Sequence, residues 1–244
     1  MLKILKRRWL LILLVLPVCL AVLWFGASFI RVGPRPVTHG SADQPMIALT
    51  FDDGPNAGYT SQILQILDRY QVKGTFFVIG ENVERHPEIA REIALRGHQI
   101  GNHSHSHSDS LPYLLPNQIA NDSRKARKAI REATGLEPRF YRAPHGRFSP
   151  WMSWALRREG FVLTGWYSSP KDWKDPGVEK LIDRVVDNAA RSGSIIDLHD
   201  GLGLEENADR SQLVQALPSI IEQLQAQGYR FVTVADLLGE EPYF

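Results

Sequence analysis

Two short stretches of this 244-residue chain hold side chains that can do chemistry together. ALTFDDGPNAG, residues 48–58, ends an apolar run with adjacent carboxylates, Asp52 and Asp53, ahead of a Gly-Pro pair. Neighbouring side chains on an extended backbone point to opposite faces, so the two acids can serve different tasks. Taken alone, DDGP is a turn, because Asp, Gly and Pro are the residues turns favour. GNHSHSHSD, residues 101–109, places three of the eight histidines within five residues. His103 and His107 are four apart, a spacing at which a curled loop or one helical turn aims two imidazoles at one ion. With one aspartate they form a two-histidine, one-carboxylate set that leaves coordination positions open for water and substrate.

The elements that must position these groups are short strands alternating with helical patterns. MIALTF reads as a strand and YTSQILQILDRY as a helix, with apolar residues at 63, 64, 66 and 67. GTFFVIG, HQIGNH, PRFYRAP, FVLTGW, GSIIDLH and YRFVTV read as further strands. HPEIAREIALRG, the long LPNQIANDSRKARKAIREATG, SPWMSWALRREG and segments near 177–192 and 211–227 read as helices. About seven strand–helix units predict an α/β fold, either a parallel barrel or an open doubly wound sheet, with functional groups at the C-terminal strand ends. DD, NHSHSH, RAPHG, KDW and HDG all follow strands on that side.

Five segments in order, TFDDGP (50–55), HSHSH (103–107), RAPHG (142–146), KDW (171–173) and DLHD (197–200), resemble the motifs of the NodB-homology polysaccharide deacetylases, carbohydrate esterase family 4. The likeness spans residues 46–238. It implies a distorted (β/α)7-type barrel and a metal-dependent hydrolase that removes N-acetyl or O-acetyl groups from a glycan such as peptidoglycan or a chitin-like polymer. Relatives that deformylate lipid-linked sugars give a second reading, and an inactive glycan-binding module a third. By this resemblance Asp53, His103 and His107 hold a divalent metal, usually zinc. Asp52 is the general base, paired with Arg142, and His199 is the general acid, backed by Asp172. The backbone N–H of His145 helps hold the oxyanion, and Trp173 lines the sugar cleft. Four departures from the family pattern stand out. His145 stands where Tyr is common and His105 where an aromatic is. Tyr167, Ser168 and Ser169 stand where acids are frequent, and Asp197 where an apolar residue is usual. Asp197 shares a strand face with His199, but residues two apart stand roughly 7 Å from each other, too far for a direct bond.

The net charge of +1 gives no global field toward nucleic acid, and the basic run RKARKAIRE (124–132) reads as a solvated helix face. The single cysteine, Cys19, excludes an internal disulfide framework. No obligate protein partner is indicated. The first 30 residues stand apart: Lys3, Lys6, Arg7 and Arg8 precede an uncharged run from Trp9 to Ile30. At about 22 residues, or roughly 33 Å of helix, that run is long enough to cross a bilayer. Residues 1–30 therefore read as an uncleaved N-terminal transmembrane helix with Met1 in the cytoplasm and the rest of the chain outside. A cleaved signal peptide and a secreted product form the alternative. RVGPRPVTHGSADQP, 31–45, reads as a linker and 46–244 as the deacetylase domain. An uncleaved anchor makes the full-length protein pellet with membranes and resist high-salt extraction. Mature protein in the medium, beginning beyond Ile30, would overturn that reading.

Overall fold

The computed structural model describes residues 35–244, with Pro17 alone before them. The apolar run expected as the first strand forms β1 (Met46–Asp52), buried at every position but its first. A strand covered on both faces reads as a continuous apolar run, and such strands belong to parallel sheets. The other strands are β2 (Thr75–Val78), β3 (Gln99–Asn102), β4 (Phe140–Tyr141), β5 (Val162–Leu163), β6 (Ile195–His199) and β7 (Arg230–Phe231). All pairings are parallel, in the order β5-β4-β3-β2-β1-β6, with β7 on the first residues of β1. The ladder sets Asp52 level with both Phe77 and His199, so the motif residues leave the sheet side by side.

The helices are α1 (Thr60–Arg69), α2 (Gly80–Arg85), α3 (Pro87–Leu95), α4 (Pro116–Thr134), α5 (Pro150–Arg158), α6 (Val178–Asp183), α7 (Ser211–Ala226) and α8 (Val234–Leu238). α6 widens into a π-helical turn over Arg184–Ala189. Ser149 caps α5 by accepting from the Met152 N–H, and Gly135 ends α4 in the left-handed conformation. One core lies between the sheet and the helices, where Phe51 stacks on Phe76 with centroids 4.8 Å apart among Ile63, Leu67, Ile130 and Leu217. A smaller cluster inside the barrel joins Ala48, Phe77, Phe140 and Ile195 to α8. Two helices were not expected from sequence, α2 and α8. α8 takes Val234 out of the run read as the last strand, because Thr233 and Asp236 form a capping box there. Its first N–H groups are accepted by Thr75 Oγ1 and Gln99 Oε1, which point inward from β2 and β3.

The barrel is closed incompletely between β5 and β6. Ser168 bridges to Ile196, and the N-terminal segment covers the rest of the gap. Val37 N–H donates to the Leu163 carbonyl (2.8 Å), Gly165 N–H donates to the Val37 carbonyl (2.7 Å), and Gly40 N–H donates to the Gly193 carbonyl (2.8 Å). Residues 37–40, read from sequence as linker, are thus hydrogen-bonded into the barrel, where they satisfy edge groups that would otherwise face solvent. Among the described residues no helix is long and apolar enough to cross a membrane. The run 9–30, on which the anchor reading rests, lies outside them.

A buried histidine makes this fold sensitive to acid. His98 is 3% exposed, and its Nδ1 accepts the Gly74 N–H at 3.1 Å. Burial pushes its pKa down to about 4, with the Lys73 charge adding to the effect. The folded protein keeps His98 neutral where the unfolded chain protonates it. Stability is therefore unaffected above the unfolded value and falls as pH drops from about 6.5 toward 4, by up to about 3 kcal/mol. His98→Asn retains an acceptor for Gly74 but cannot titrate. In urea unfolding, the gap between the two proteins should shift by that amount between pH 7 and pH 4, and parallel stability curves would refute the assignment.

Candidate metal and acid–base site

Asp53 leaves the end of β1 with φ of 74°, a conformation that non-glycine residues adopt only when their surroundings hold them there. Here the surroundings are hydrogen bonds: Asn82 Nδ2 donates to the Asp53 carbonyl (2.8 Å) and the Gly203 N–H donates to Asp53 Oδ2 (2.9 Å). Gly54 follows because a Cβ there would stand 2.1 Å from the Asp200 carboxylate. Asp200 is fully buried, accepts from the Thr60 hydroxyl, and is raised to about 7, chiefly by burial. It backs the turn and lies outside the set of facing groups.

Asp53 Oδ1 is buried without a hydrogen-bond partner, 3.0 Å from His107 Nε2 and 3.3 Å from His103 Nε2. The His103 ring is fixed by its Nδ1–H, which donates to the Arg142 carbonyl at 2.9 Å and leaves the Nε2 lone pair free. That is the outer bond a metal-ligating imidazole ordinarily makes. His107, at φ of 48°, is held by its N–H to Ser104 Oγ (2.9 Å). Burial alone would raise the Asp53 pKa, but the two imidazoles outweigh it and hold the carboxylate well below its usual range. Two imidazole nitrogens converging on an orphaned carboxylate oxygen fit a divalent cation, and one ligand atom from each residue lies within 4.8 Å of the others. His105, between the two ligand candidates, turns away and meets Glu84 Oε1 at 3.2 Å.

Arg142 has no exposed surface. Its Nη1 donates to Asp52 Oδ1 (2.7 Å) and Thr50 Oγ1 (2.7 Å) and lies 3.4 Å from Asp197 Oδ1, while Nη2 donates to the Gly165 carbonyl (2.9 Å). The guanidinium also lies 4.1 Å over the Phe77 ring. Asp52 Oδ1 is thereby occupied, and Oδ2 stands 3.8 Å from His103 Nε2. Across the ladder, His199 is bound twice by Asp172: Nδ1 to Oδ1 at 2.9 Å and backbone N–H to Oδ2 at 2.8 Å. Burial works against the imidazolium, yet Asp172 and then Asp197 raise the His199 pKa well above its usual value. Asp197 makes no hydrogen bond to His199, and burial pushes Asp197 itself up to about 7.

Asp52, Asp53, His103, His107, Asp197 and His199 line a cavity of about 680 Å³ together with His145, Arg147, Lys171 and Trp173. His145, at φ of 56°, packs its ring edge-on against His107 with centroids 4.8 Å apart. Trp173 is partly exposed at the wall. The site residues expected from sequence thus either line this pocket or, as Arg142 and Asp172 do, bond a residue that lines it. Sequence reasoning missed Thr50, Asn82 and Gly203. Thr50 could have been found, since it lies two residues before Asp52 on the same strand face. Asn82 and Gly203 carry no local signal, because their partners are distant in the chain.

The protein-family model described as polysaccharide deacetylase matches residues 39–164. The chain is 40% identical over 201 residues to a peptidoglycan-N-acetylglucosamine deacetylase of Bacillus cereus, covering 80% of this chain and 89% of that protein. It is 34% identical to a chitooligosaccharide deacetylase of Sinorhizobium fredii, covering 80% and 93%. Its fold is similar to the solved structure of the Bc1960 peptidoglycan N-acetylglucosamine deacetylase in complex with an N-oxidanyl-benzamide, with TM-score 0.77, 33% identity, and 85% and 94% of the two chains covered. The chain belongs to the polysaccharide deacetylase family, the NodB-homology group.

The two hydrogen bonds that His199 donates to Asp172 separate this acid from Asp197 in any acid–base role. A group that works as an acid loses activity as pH rises through its pKa. Asp172→Asn should therefore cut turnover and move the alkaline limb of the rate profile to lower pH by roughly 1 unit or more. Asp197→Asn should move it less, and the reverse order in the two pH profiles would reassign the partner of His199.

Proposed function

We propose that this protein is a divalent-metal-dependent deacetylase that removes N-acetyl, or O-acetyl, groups from an envelope glycan such as peptidoglycan or a chitin-like polymer. The observation that carries the reading is Asp53 Oδ1, buried without a partner between the Nε2 atoms of His103 and His107. Asp53, His103 and His107 would hold the ion, zinc being the ion this ligand set commonly binds. Once bound, it supplies Lewis-acid polarisation of the acyl oxygen and a lowered pKa for the attacking water.

The chain's own residues carry the protons. Asp52, held through Oδ1 by Arg142, keeps Oδ2 free on the pocket side to accept a proton from the attacking water. The backbone N–H of His145 donates to the oxygen of the tetrahedral carbon as its negative charge develops. An amine leaves poorly unless protonated, and His199, kept cationic by Asp172, has its Nε2 free to protonate it. Trp173 borders the sugar side of the pocket. The relatives named for peptidoglycan and chitooligosaccharide support an N-acetylated aminosugar as substrate. The N-hydroxy amide bound to the Bc1960 enzyme supports the metal, because such a group chelates cations through two oxygens. Residues 1–30, with basic residues before the apolar run, are read as an uncleaved anchor that keeps the catalytic domain outside the cytoplasm beside these polymers.

The roles of the two adjacent acids are separated by measuring metal content and acetate release on the same purified full-length protein. Asp53→Ala should lose metal and activity together. Asp52→Asn should retain metal while turnover on N-acetylglucosamine oligomers falls by a factor of about 10² to 10⁴. If Asp52→Asn loses the metal and Asp53→Ala keeps it, the assignments are exchanged. If both variants keep full activity, Asp52 and Asp53 are only turn residues and this site assignment fails; if wild type releases no acetate from any such glycan, the hydrolase reading fails.

A further inference from the structure

Beyond the pocket, among the described residues, lie three exposed aromatic side chains that it does not use, Tyr113, Trp151 and Trp154. They lie on two segments, the loop following β3 and the loop following β4 with the helix α5 it leads into. At the pocket rim the segments are tied through Asp109 Oδ1, which accepts from Arg147 Nη1 (3.0 Å) and stands 3.2 Å from His145 Nε2. Farther out they are tied again, where the Trp151 indole N–H donates to the Pro112 carbonyl at 2.9 Å. Trp151 lies in the first turn of α5 and Trp154 comes three residues later, on the same face of that helix. They are 41% and 49% exposed, and Tyr113, beside Pro112, is 77% exposed. Leu115 is the one aliphatic side chain among the large exposed apolar residues in these loops.

Large aromatic rings left in water contribute little to folding, and a contiguous group of them marks a binding surface. Several features point to a sugar polymer as its occupant. The surface continues from the rim of a pocket that acts on glycans. It is built of Trp and Tyr, whose flat faces pack on the C–H face of a pyranose ring while N–H and O–H groups meet its hydroxyls. Its rings are also set in advance: the bond to Pro112 orients Trp151, and the Arg158 guanidinium lies over Trp154 at 4.7 Å. Insertion into lipid would call for more aliphatic surface than Leu115 alone provides.

We propose that Tyr113, Trp151 and Trp154 form an extended glycan-binding surface on which sugars beyond the reacting one stack, so that the protein prefers long chains to short ones. The proposal rests on the deacetylase reading for the identity of the pocket, but its test does not require turnover. Binding of N-acetylglucosamine dimer and hexamer to the full-length protein in detergent is measured by titration calorimetry, for wild type, Trp151→Ala, Trp154→Ala and Trp151→Phe. Wild type should bind the hexamer about tenfold more tightly than the dimer, a difference of about 1.4 kcal/mol. Each alanine variant should lose most of that advantage with dimer binding unchanged, and Trp151→Phe, which keeps a ring, should retain most of it. Equal affinity for the two lengths in wild type, an advantage that survives both alanine variants, or a parallel loss for dimer and hexamer would overturn the proposal. Quenching by brominated lipid in reconstituted vesicles that is weaker in Trp151→Phe or Trp154→Phe than in wild type would overturn it in favour of a bilayer contact. A wild-type dimer that Trp154→Ala dissociates in sedimentation would overturn it in favour of a second copy. Length-dependent binding without acetate release from any glycan would leave this surface standing and remove the deacetylase reading.

Discussion

A guanidinium with no exposed surface sits inside the barrel, and the places of the reacting groups follow from what it bonds. Arg142 comes from the end of β4, yet its Nη1 binds Asp52 and Thr50 on β1 and approaches Asp197 on β6, while Nη2 binds the Gly165 carbonyl beyond β5. Its own carbonyl accepts from His103 after β3. Taking a charge out of water is costly, and the cost is tolerated only where several partners surround the ion. Removing Arg142 would leave carboxylates buried without a counter-charge, so one residue serves at once as a keystone of the barrel and as the alignment of Asp52.

The charges around it are unbalanced in one direction. Asp52, Asp53, Asp172 and Asp197 are all buried at or near the pocket, Arg142 is the guanidinium bonded among them, and despite burial these carboxylates raise the pKa of both His103 and His199. Such a site has room for additional positive charge, and the orphaned oxygen of Asp53 marks where it fits. Asp197, pushed up to about 7 by burial, relieves the imbalance by holding a proton more readily than a surface acid does.

Most of the strained backbone lies where the motifs lie, Gln71 and Asp175 being the other non-glycine residues with positive φ among those described. Asp53, Ser104, His107, His145 and Lys171 all have positive φ although none is glycine. Backbone of this kind survives only when surrounding structure over-determines it. The parallel sheet supplies the rigid part, and hydrogen bonds from Asn82, Gly203 and Ser104 supply the rest. The same loops that carry the strained residues continue outward into Tyr113 and Trp151, so positioning chemistry and presenting aromatic surface are two results of one loop arrangement.

Much of this was legible in the chain itself. Apolar runs and helical periodicity located the seven strands and most helices, because burial on both faces of a parallel strand and one face of a helix leaves local patterns in sequence. Two acids at a strand end and two histidines four apart announced a candidate metal site for the same local reason. What the chain could not disclose depends on residues far apart in it. Gly203 reaches Asp53 and Asn82 reaches Gly203 only once the sheet has formed. The turn of His105 toward Glu84 and the packing of Val37 between β5 and β6 were decided by tertiary structure. Each depends on side-chain direction and strand register, and these are set by packing between distant segments, which no local pattern encodes.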